Sequence, residues 1–233
     1  AGSIKSAAQR HMVSRESALL TGNVLLLAAL ATVMLGTLYP LILDAFGGGK
    51  ISVGPPYFNA VFVPMMVPVL LLLGLAPRMR WGEASLPDVL KQIRWQAVAA
   101  VAIGLALPLA FGDWRWQAAL GLALAAWVIL STVTGLLARR LASGGLPLSA
   151  WGMGTAHVGL AVGLIGMGLV SAYQSEKTVA MKAGDIAQLG AYEFMYQGAQ
   201  EVPGPNYSAM RGTLELKKSG QTVGTLLPEK RIY

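Results

Sequence analysis

Long hydrophobic runs fill the first three quarters of the chain, with charged residues confined to the short segments between them. Five runs are long enough to cross about 30 Å of hydrocarbon as helices of roughly 20 residues. Lipid offers no partners for backbone amides, so each run is predicted to be an α-helix. The predicted spans are residues 17–43, 51–77, 95–112, 116–138 and 148–173, which together form a transmembrane region over 1–173.

The pattern changes after residue 173, where hydrophobic and polar residues begin to alternate. Tyr192, Phe194 and Tyr196 fall on one face of a predicted strand, and a second alternating run follows near residues 210–217. The Ser219-Gly220 pair is a turn signal before a third run. Residues 174–233 are therefore predicted to form a small β-rich domain of three or four antiparallel strands.

The polar segment over residues 78–95 suggests a further element between the second and third spans. Ser85 followed by Asp88 is the pattern of a capping box at a helix N-terminus. Hydrophobic residues then recur on one face, and Trp81 and Trp95 flank the segment. The pattern predicts a short amphipathic helix lying on the membrane surface.

Composition supports a membrane protein, since 55% of residues are hydrophobic and only 12% are charged. Lysine and arginine indicate its orientation. The segments before the first span and after the second and fourth carry Lys5, Arg10, Arg15, Arg78, Arg80, Lys91, Arg94, Arg139 and Arg140. The opposite loops carry only Lys50 and Arg115. This asymmetry predicts a cytoplasmic N-terminus and an exported tail.

Charge and cysteine content exclude two classes of function. The net charge of +7 follows from the topology and from contact with the lipid bilayer, and no basic patch is interleaved with aromatic residues. Nucleic-acid binding is therefore not expected. The chain has no cysteine, so it forms no disulfide and carries out no thiol chemistry of its own.

His157 is the candidate site residue within the spans, and the only other histidine is His11 in the basic N-terminal stretch. An ionisable group in a transmembrane helix is costly and usually has a partner. One interpretation is tight packing, with the imidazole hydrogen-bonded to a neighbouring helix. The others are a proton relay, a metal site or ligation of haem iron. Gly159 and Gly163 allow either close helix contact or room for a flat cofactor.

The first outer loop, residues 44–58, is rich in glycine and proline. A phosphate-binding role is not expected, because the loop lacks the GxxxxGK[ST] pattern and no strand precedes it. The loop is either a simple connector or a shaped surface between two spans. In the second case Gly54, Pro55, Pro56 and Tyr57 are the candidate residues of that surface.

Four segments resemble one known family in the same order along the chain. They are LGTLYPLILDAFGGGKISVGPPYFNAVFVP at 35–64, SRES at 14–17, MGTAHVGLAVGLIG at 153–166 and LPEKRIY at 227–233. Together they resemble the C-terminal half of the CcmF family of system I cytochrome c maturation. The resemblance covers nearly the whole chain, and the run at 35–64 is its most specific part.

The resemblance implies part of a cytochrome c haem lyase of the bacterial inner membrane, with a periplasmic tail. Such a protein takes haem from the haem chaperone CcmE and attaches it to the CxxCH motif of apocytochrome c, together with a CcmH-type thiol protein. His157 matches one axial ligand of a membrane-bound haem b. The outer loop with Gly54, Pro55, Pro56 and Tyr57 is then expected to shape the haem-transfer surface.

The same resemblance sets limits on what this chain does. The tryptophan-rich WWD segment of the family, its external histidines and its first transmembrane histidine belong to an N-terminal half that this sequence does not contain. We therefore expect a fragment or one product of a split gene, without lyase activity alone. No side chain here is an expected catalytic acid or base. The alternative function is a haem transporter or a non-catalytic scaffold of the maturation complex.

Overall fold

The structure is a computed structural model that describes residues 13–233. The predicted inner charges Lys5 and Arg10, and also His11, lie outside the described residues. The chain divides into two compact units, Ala1–Ala172 and Tyr173–Tyr233, which are described separately.

Five helices form the described part of the first unit. They are α1 (Arg15–Ala45), α2 (Pro55–Leu75), α3 (Leu86–Ala110), α4 (Trp116–Ser143) and α5 (Leu148–Tyr173), with a short 3-10 turn at Ala76–Arg78 after α2. All five are long and apolar enough to cross a membrane. The predicted set of five spanning helices is thereby confirmed. The largest differences are at the beginning of α3, which starts at Leu86 rather than residue 95, and at the end of α4, which reaches Ser143 rather than residue 138.

The predicted separate surface helix is wrong, because α3 runs without a break from Leu86 to Ala110. Val89 and Ile93 are buried on the same stripe as Ala100 and Gly104, so one continuous face packs inward. Ser85 does occupy the N-cap position, but its side chain makes no capping hydrogen bond. The buried face of the polar segment continues into the third span without changing side. The two segments therefore form one helix.

Helix α4 lies at the centre of the helical unit and holds most of its buried residues. Ala125 and Val128 are fully inaccessible, and Trp127 donates a hydrogen bond from Nε1 to the carbonyl of Leu71 in α2 at 3.2 Å. Glycine permits the close approach of α3, since a Cβ at Gly104 would lie 2.5 Å from the Cβ of Ala123. The core of the unit therefore forms around α4.

The connection between α1 and α2 is shorter than the predicted outer loop. Helix α1 continues to Ala45 and α2 begins at Pro55, with Gly54 as its N-cap. Proline suits the first helical turn because its fixed φ is already helical and its missing N–H has no helical partner there. Within the connection, Gly47 and Gly49 have φ values of 73° and 87°, which favour glycine.

The second unit is an antiparallel sheet of five strands. They are β1 (Ile186–Leu189), β2 (Tyr192–Pro203), β3 (Ser208–Lys218), β4 (Gln221–Leu226) and β5 (Glu229–Ile232). The strand order is β1-β2-β3-β4. Strand β4 pairs with the C-terminal half of β3, and β5 pairs with the N-terminal part of β3 along the same edge. The predicted turn is present at Ser219 and Gly220, both with positive φ. The prediction of three or four strands missed β1 and β5, whose four residues are too few for a clear alternation.

The register gives the sheet one apolar and one charged face. Phe194 pairs with Leu216, and Tyr196 pairs with Leu214, which places these side chains on one face. On the other face, Arg211 donates from Nε to Glu229 at 2.7 Å, and Arg231 donates at 3.0 Å. These hydrogen bonds, that from Arg211 first, lower the pKa of Glu229 below its usual value.

Candidate functional site

His157 lies on α5 and faces α4. Its Nδ1 is 3.3 Å from the Oγ1 of Thr132, whose side chain is buried. In the tautomer with hydrogen on Nδ1, the imidazole donates to Thr132 and keeps a lone pair on Nε2 for another partner. This is the hydrogen bond that simple packing predicts, and in that tautomer it is also the arrangement found for histidines that bind a metal.

The glycine of α5 that lies close to another helix is not one of the two that the sequence suggested. Gly154 lies beside Leu136 of α4, so closely that a Cβ there would be 2.5 Å from Cδ1 of that leucine. Gly159 and Gly163 have no described atom within 4 Å of a Cβ position. They stand two and six positions from His157, which at 3.6 residues per turn puts them on the opposite side of α5. Any space beside the imidazole therefore comes from neighbouring helices rather than from this glycine pair.

A cavity of about 240 Å³ lies next to the imidazole, between the ends of α2, α3, α4 and the first half of α5. Its lining includes His157, Arg78, Arg139 and Gln92 among apolar residues such as Met153. This volume is below the roughly 300–1,000 Å³ of complete small-molecule sites. The cavity therefore has room for part of a large planar cofactor, not for the whole of it.

Arg78 borders this cavity from the 3-10 turn that follows α2. It donates from Nη2 to the Oγ1 of Thr134 at 2.7 Å and to the carbonyl of Ser131 at 3.3 Å. Its Nε is buried without a hydrogen-bond partner. Arg139 of α4 also borders the cavity but is exposed. The site consequently presents two cations and one imidazole.

These residues fit one side of a haem-iron site. A ligating histidine typically donates its other ring N–H to a neighbouring acceptor, and Thr132 can accept it here. Within residues 13–233, no group of three or more His, Cys, Asp or Glu side chains could hold a metal ion. His157 is the only histidine within residues 13–233, so a second histidine ligand would come from outside the described residues.

The four candidate residues of the outer surface lie at the beginning of α2. Pro55 and Pro56 are exposed, whereas Tyr57 donates from its hydroxyl to the carbonyl of Thr32 in α1 at 3.2 Å. Gly54 has an extended backbone, and a Cβ there would meet only a ring atom of Pro56, at 3.6 Å. Glycine is therefore not required at position 54 by anything within the described chain.

The structure does not bring the outer residues and His157 together. Gly54 to Tyr57 lie at one end of α2, and the cavity beside His157 lies at its other end, near Gly74 and Arg78. At 1.5 Å per residue these ends are about 30 Å apart. The two predicted features are therefore separate sites on opposite ends of the helical unit.

Sequence reasoning did not single out Thr132 or a site role for Arg78. Arg78 entered only as an inner-loop charge, and Thr132 is one of several small polar residues in the fourth span. Their contacts join residues 25 to 56 positions apart on different helices. No spacing between neighbouring residues in the sequence predicts such contacts. A charged arginine directly after an apolar run was the one feature of the sequence that indicated a special role for Arg78.

Comparison with known proteins places this architecture in one family. Residues 172–233 match the family model described as the CcmF C-terminal beta-sandwich. The cytochrome c-type biogenesis protein CcmF of Pseudomonas fluorescens is 36% identical over 236 residues, which cover 99% of this chain and 36% of that protein. The CcmF of Escherichia coli (strain K12) is likewise 36% identical, with the same coverage.

A solved structure shares the fold. The chain of the cytochrome c heme lyase CcmF matches with a TM-score of 0.66 and 23% identity, over 95% of this chain and 35% of that one. This chain therefore spans about a third of the length of the curated relatives it matches. Together with the five apolar helices, these relatives identify a multi-pass membrane protein.

Proposed function

Because the chain belongs to the CcmF family of cytochrome c-type biogenesis proteins and matches its C-terminal part, we propose that it is one portion of a cytochrome c haem lyase. In this role it helps transfer haem from the chaperone CcmE to the CxxCH motif of apocytochrome c. His157 holds a membrane haem b as one axial ligand. The observation that carries this assignment is the imidazole bonded through Nδ1 to Thr132 beside a cavity.

The residues around His157 each have a physical role in this proposal. Thr132 orients the imidazole, and by accepting a hydrogen bond from Nδ1 it leaves Nε2 for the iron. The apolar helices keep water away and thereby influence the reduction potential. A bound haem supplies one-electron chemistry, which suits reduction of the haem awaiting attachment. A second histidine from the N-terminal WWD-containing half completes the ligation.

The outer residues serve a different step. Pro55 and Pro56 are exposed at the end of α2 remote from His157, on the side where the positive-inside pattern places the periplasm. We assign them, with Gly54 and Tyr57, to the surface across which haem passes. To the β unit, which the same pattern assigns to the periplasmic side, we attribute docking of CcmE or apocytochrome c.

Restoration of cytochrome c maturation tests the proposed function. The chain is co-produced with the N-terminal half of a curated relative in a bacterium that lacks its own CcmF. Covalent haem on a reporter cytochrome c is then measured by haem staining of denaturing gels. We expect restored attachment with both halves and none with either half alone. Full attachment without this chain would contradict the proposal.

The same assay examines the outer surface through Gly54→Val. Valine fits the extended backbone and the open space at this position, so the fold should be retained. Lower attachment with unchanged haem b would support a transfer surface. Unchanged attachment would leave residues 46–54 as a connector.

The scaffold alternative has one observation in its favour. The described residues contain no group of three or more His, Cys, Asp or Glu side chains that could hold a metal ion. If the chain were only a scaffold or a haem transporter, maturation would proceed with no haem b bound at His157. A colourless complex that still restores attachment would therefore select this alternative.

The topology is tested by a reporter fused after Tyr233. Six basic residues lie at the same end of the spans as the beginning of α1 at Arg15; they are Arg78, Arg80, Lys91, Arg94, Arg139 and Arg140. By the positive-inside rule, we expect the β unit on the periplasmic side of a bacterial inner membrane. An alkaline phosphatase fusion should be active, and a cytoplasmic fluorescent reporter should be dark. The reverse pattern would overturn the orientation.

A further inference from the structure

The cavity beside His157 carries an imbalance of charge. Arg78 and Arg139 both border it, and no aspartate or glutamate is among its lining residues. Two guanidinium groups at a partly apolar site repel each other more strongly than they would in bulk water. An anion placed between them would remove this repulsion.

Arg78 also carries a donor that the described protein leaves unused. Nη2 is bonded to Thr134 and Ser131 of α4, which fixes the guanidinium in place. The buried Nε, in contrast, has no acceptor. A buried donor without a partner costs free energy, and a fixed guanidinium is well suited to bind a carboxylate or phosphate. Among the described residues Arg78 forms no ion pair, although it also lines a second cavity that includes Glu83 and Asp88.

We infer that this cavity receives the carboxylate side chains of the haem held by His157, with Arg78 as their principal partner and Arg139 as the second. This inference rests on the proposed function, which it deepens by assigning the orientation of the macrocycle. His157, Arg78 and Arg139 border one cavity, so a haem ligated by His157 can reach both arginines with its acidic edge. The volume of about 240 Å³ suits that edge rather than the whole ring.

The orientation follows from the positions of these residues in the helices. Arg78 ends the turn after α2, and Arg139 lies in the last two turns of α4. The acidic edge of the haem then points toward the end of the bundle where the positive charges gather, and the apolar edge points into the membrane. A phosphate from an anionic lipid shares the same chemistry and is distinguished by the experiment below.

The test compares haem b with its dimethyl ester, in which both carboxylates are blocked. The chain co-produced with the N-terminal half is purified, stripped of haem and titrated with each cofactor in the visible range. We expect wild-type protein to bind haem b at least about tenfold more tightly than the ester. Arg78→Gln should lose about tenfold or more in haem b affinity, which is the order of a charge-assisted hydrogen bond, and little for the ester.

Arg140→Gln is the matched control for Arg78→Gln. Arg140 is an arginine of α4 next to Arg139, but it does not border the cavity. Its affinities should equal those of wild type. Arg78→Gln losing affinity equally for both cofactors would show a structural role through Thr134 and overturn the inference. So would equal binding of haem b and ester by wild type, as expected if a lipid phosphate occupies the cavity. With either of these two results, a haem b spectrum that still depends on His157 would leave the proposed function intact. If no haem b spectrum depended on His157, the proposed function and this inference would both be wrong.

Discussion

Substitution of His157 by alanine is expected to abolish haem b binding while leaving the helical unit folded. The side chain contributes one hydrogen bond to Thr132 and only partial burial, so its removal costs little packing. Loss of one of two axial ligands, in contrast, removes the bond that fixes the iron. Haem content of the purified complex, measured as the pyridine haemochrome, should fall at least about tenfold.

Two variants make this result specific. His11→Ala removes the other histidine of the chain and should leave haem content unchanged. Thr132→Val keeps the ligand but removes its orienting partner, and should shift the reduction potential more than the occupancy. Wild-type haem content and potential in His157→Ala would refute the ligand assignment.

Substitution of Gly104 by leucine is expected to produce the largest loss of stability in the helical unit. A Cβ at this position would lie 2.6 Å from the carbonyl oxygen of Ala119 and 2.9 Å from the Cα of Ala123. Backbone atoms cannot rotate away, so α3 and α4 must separate. We expect a loss of about 3 kcal/mol or more, at the upper end of overpacking effects.

Gly163→Leu is the matched control, since no described atom lies within 4 Å of its Cβ position. Both variants replace a helical glycine by the same residue, which by itself favours the helix by about 1 kcal/mol. Unfolding in detergent followed by circular dichroism compares them. A Gly104→Leu protein as stable as wild type would contradict the close packing of α3 against α4.

Hydropathy was sufficient to predict the five helices, because the length of a membrane span is fixed by the bilayer. It could not predict where α3 begins. In the sequence, the hydrophobic stripe that contains Val89 and Ile93 predicts a surface helix. In the structure this stripe continues to Ala100 and Gly104 on one buried face. Local chemistry likewise predicted the hairpin turn at residues 219–220, since few sequences adopt two successive positive φ values.

The site was predictable only in part, for a physical reason. His157 stands out in the sequence because an ionisable group in an apolar span is costly. Thr132 and Arg78 become significant only through contacts between helices, which no local pattern records. The glycines show the same limit: the pair at 159 and 163 attracts notice, but Gly154 is the one that lies against α4.

The most direct test of haem ligation by His157 is chemical rescue of His157→Gly. Glycine removes the imidazole and leaves a space that free imidazole can enter beside Thr132. We predict that the co-purified complex of this variant lacks a reducible b-type spectrum and regains it when imidazole is added. A b-type spectrum identical to wild type without imidazole would contradict the account, because another ligand would then hold the iron.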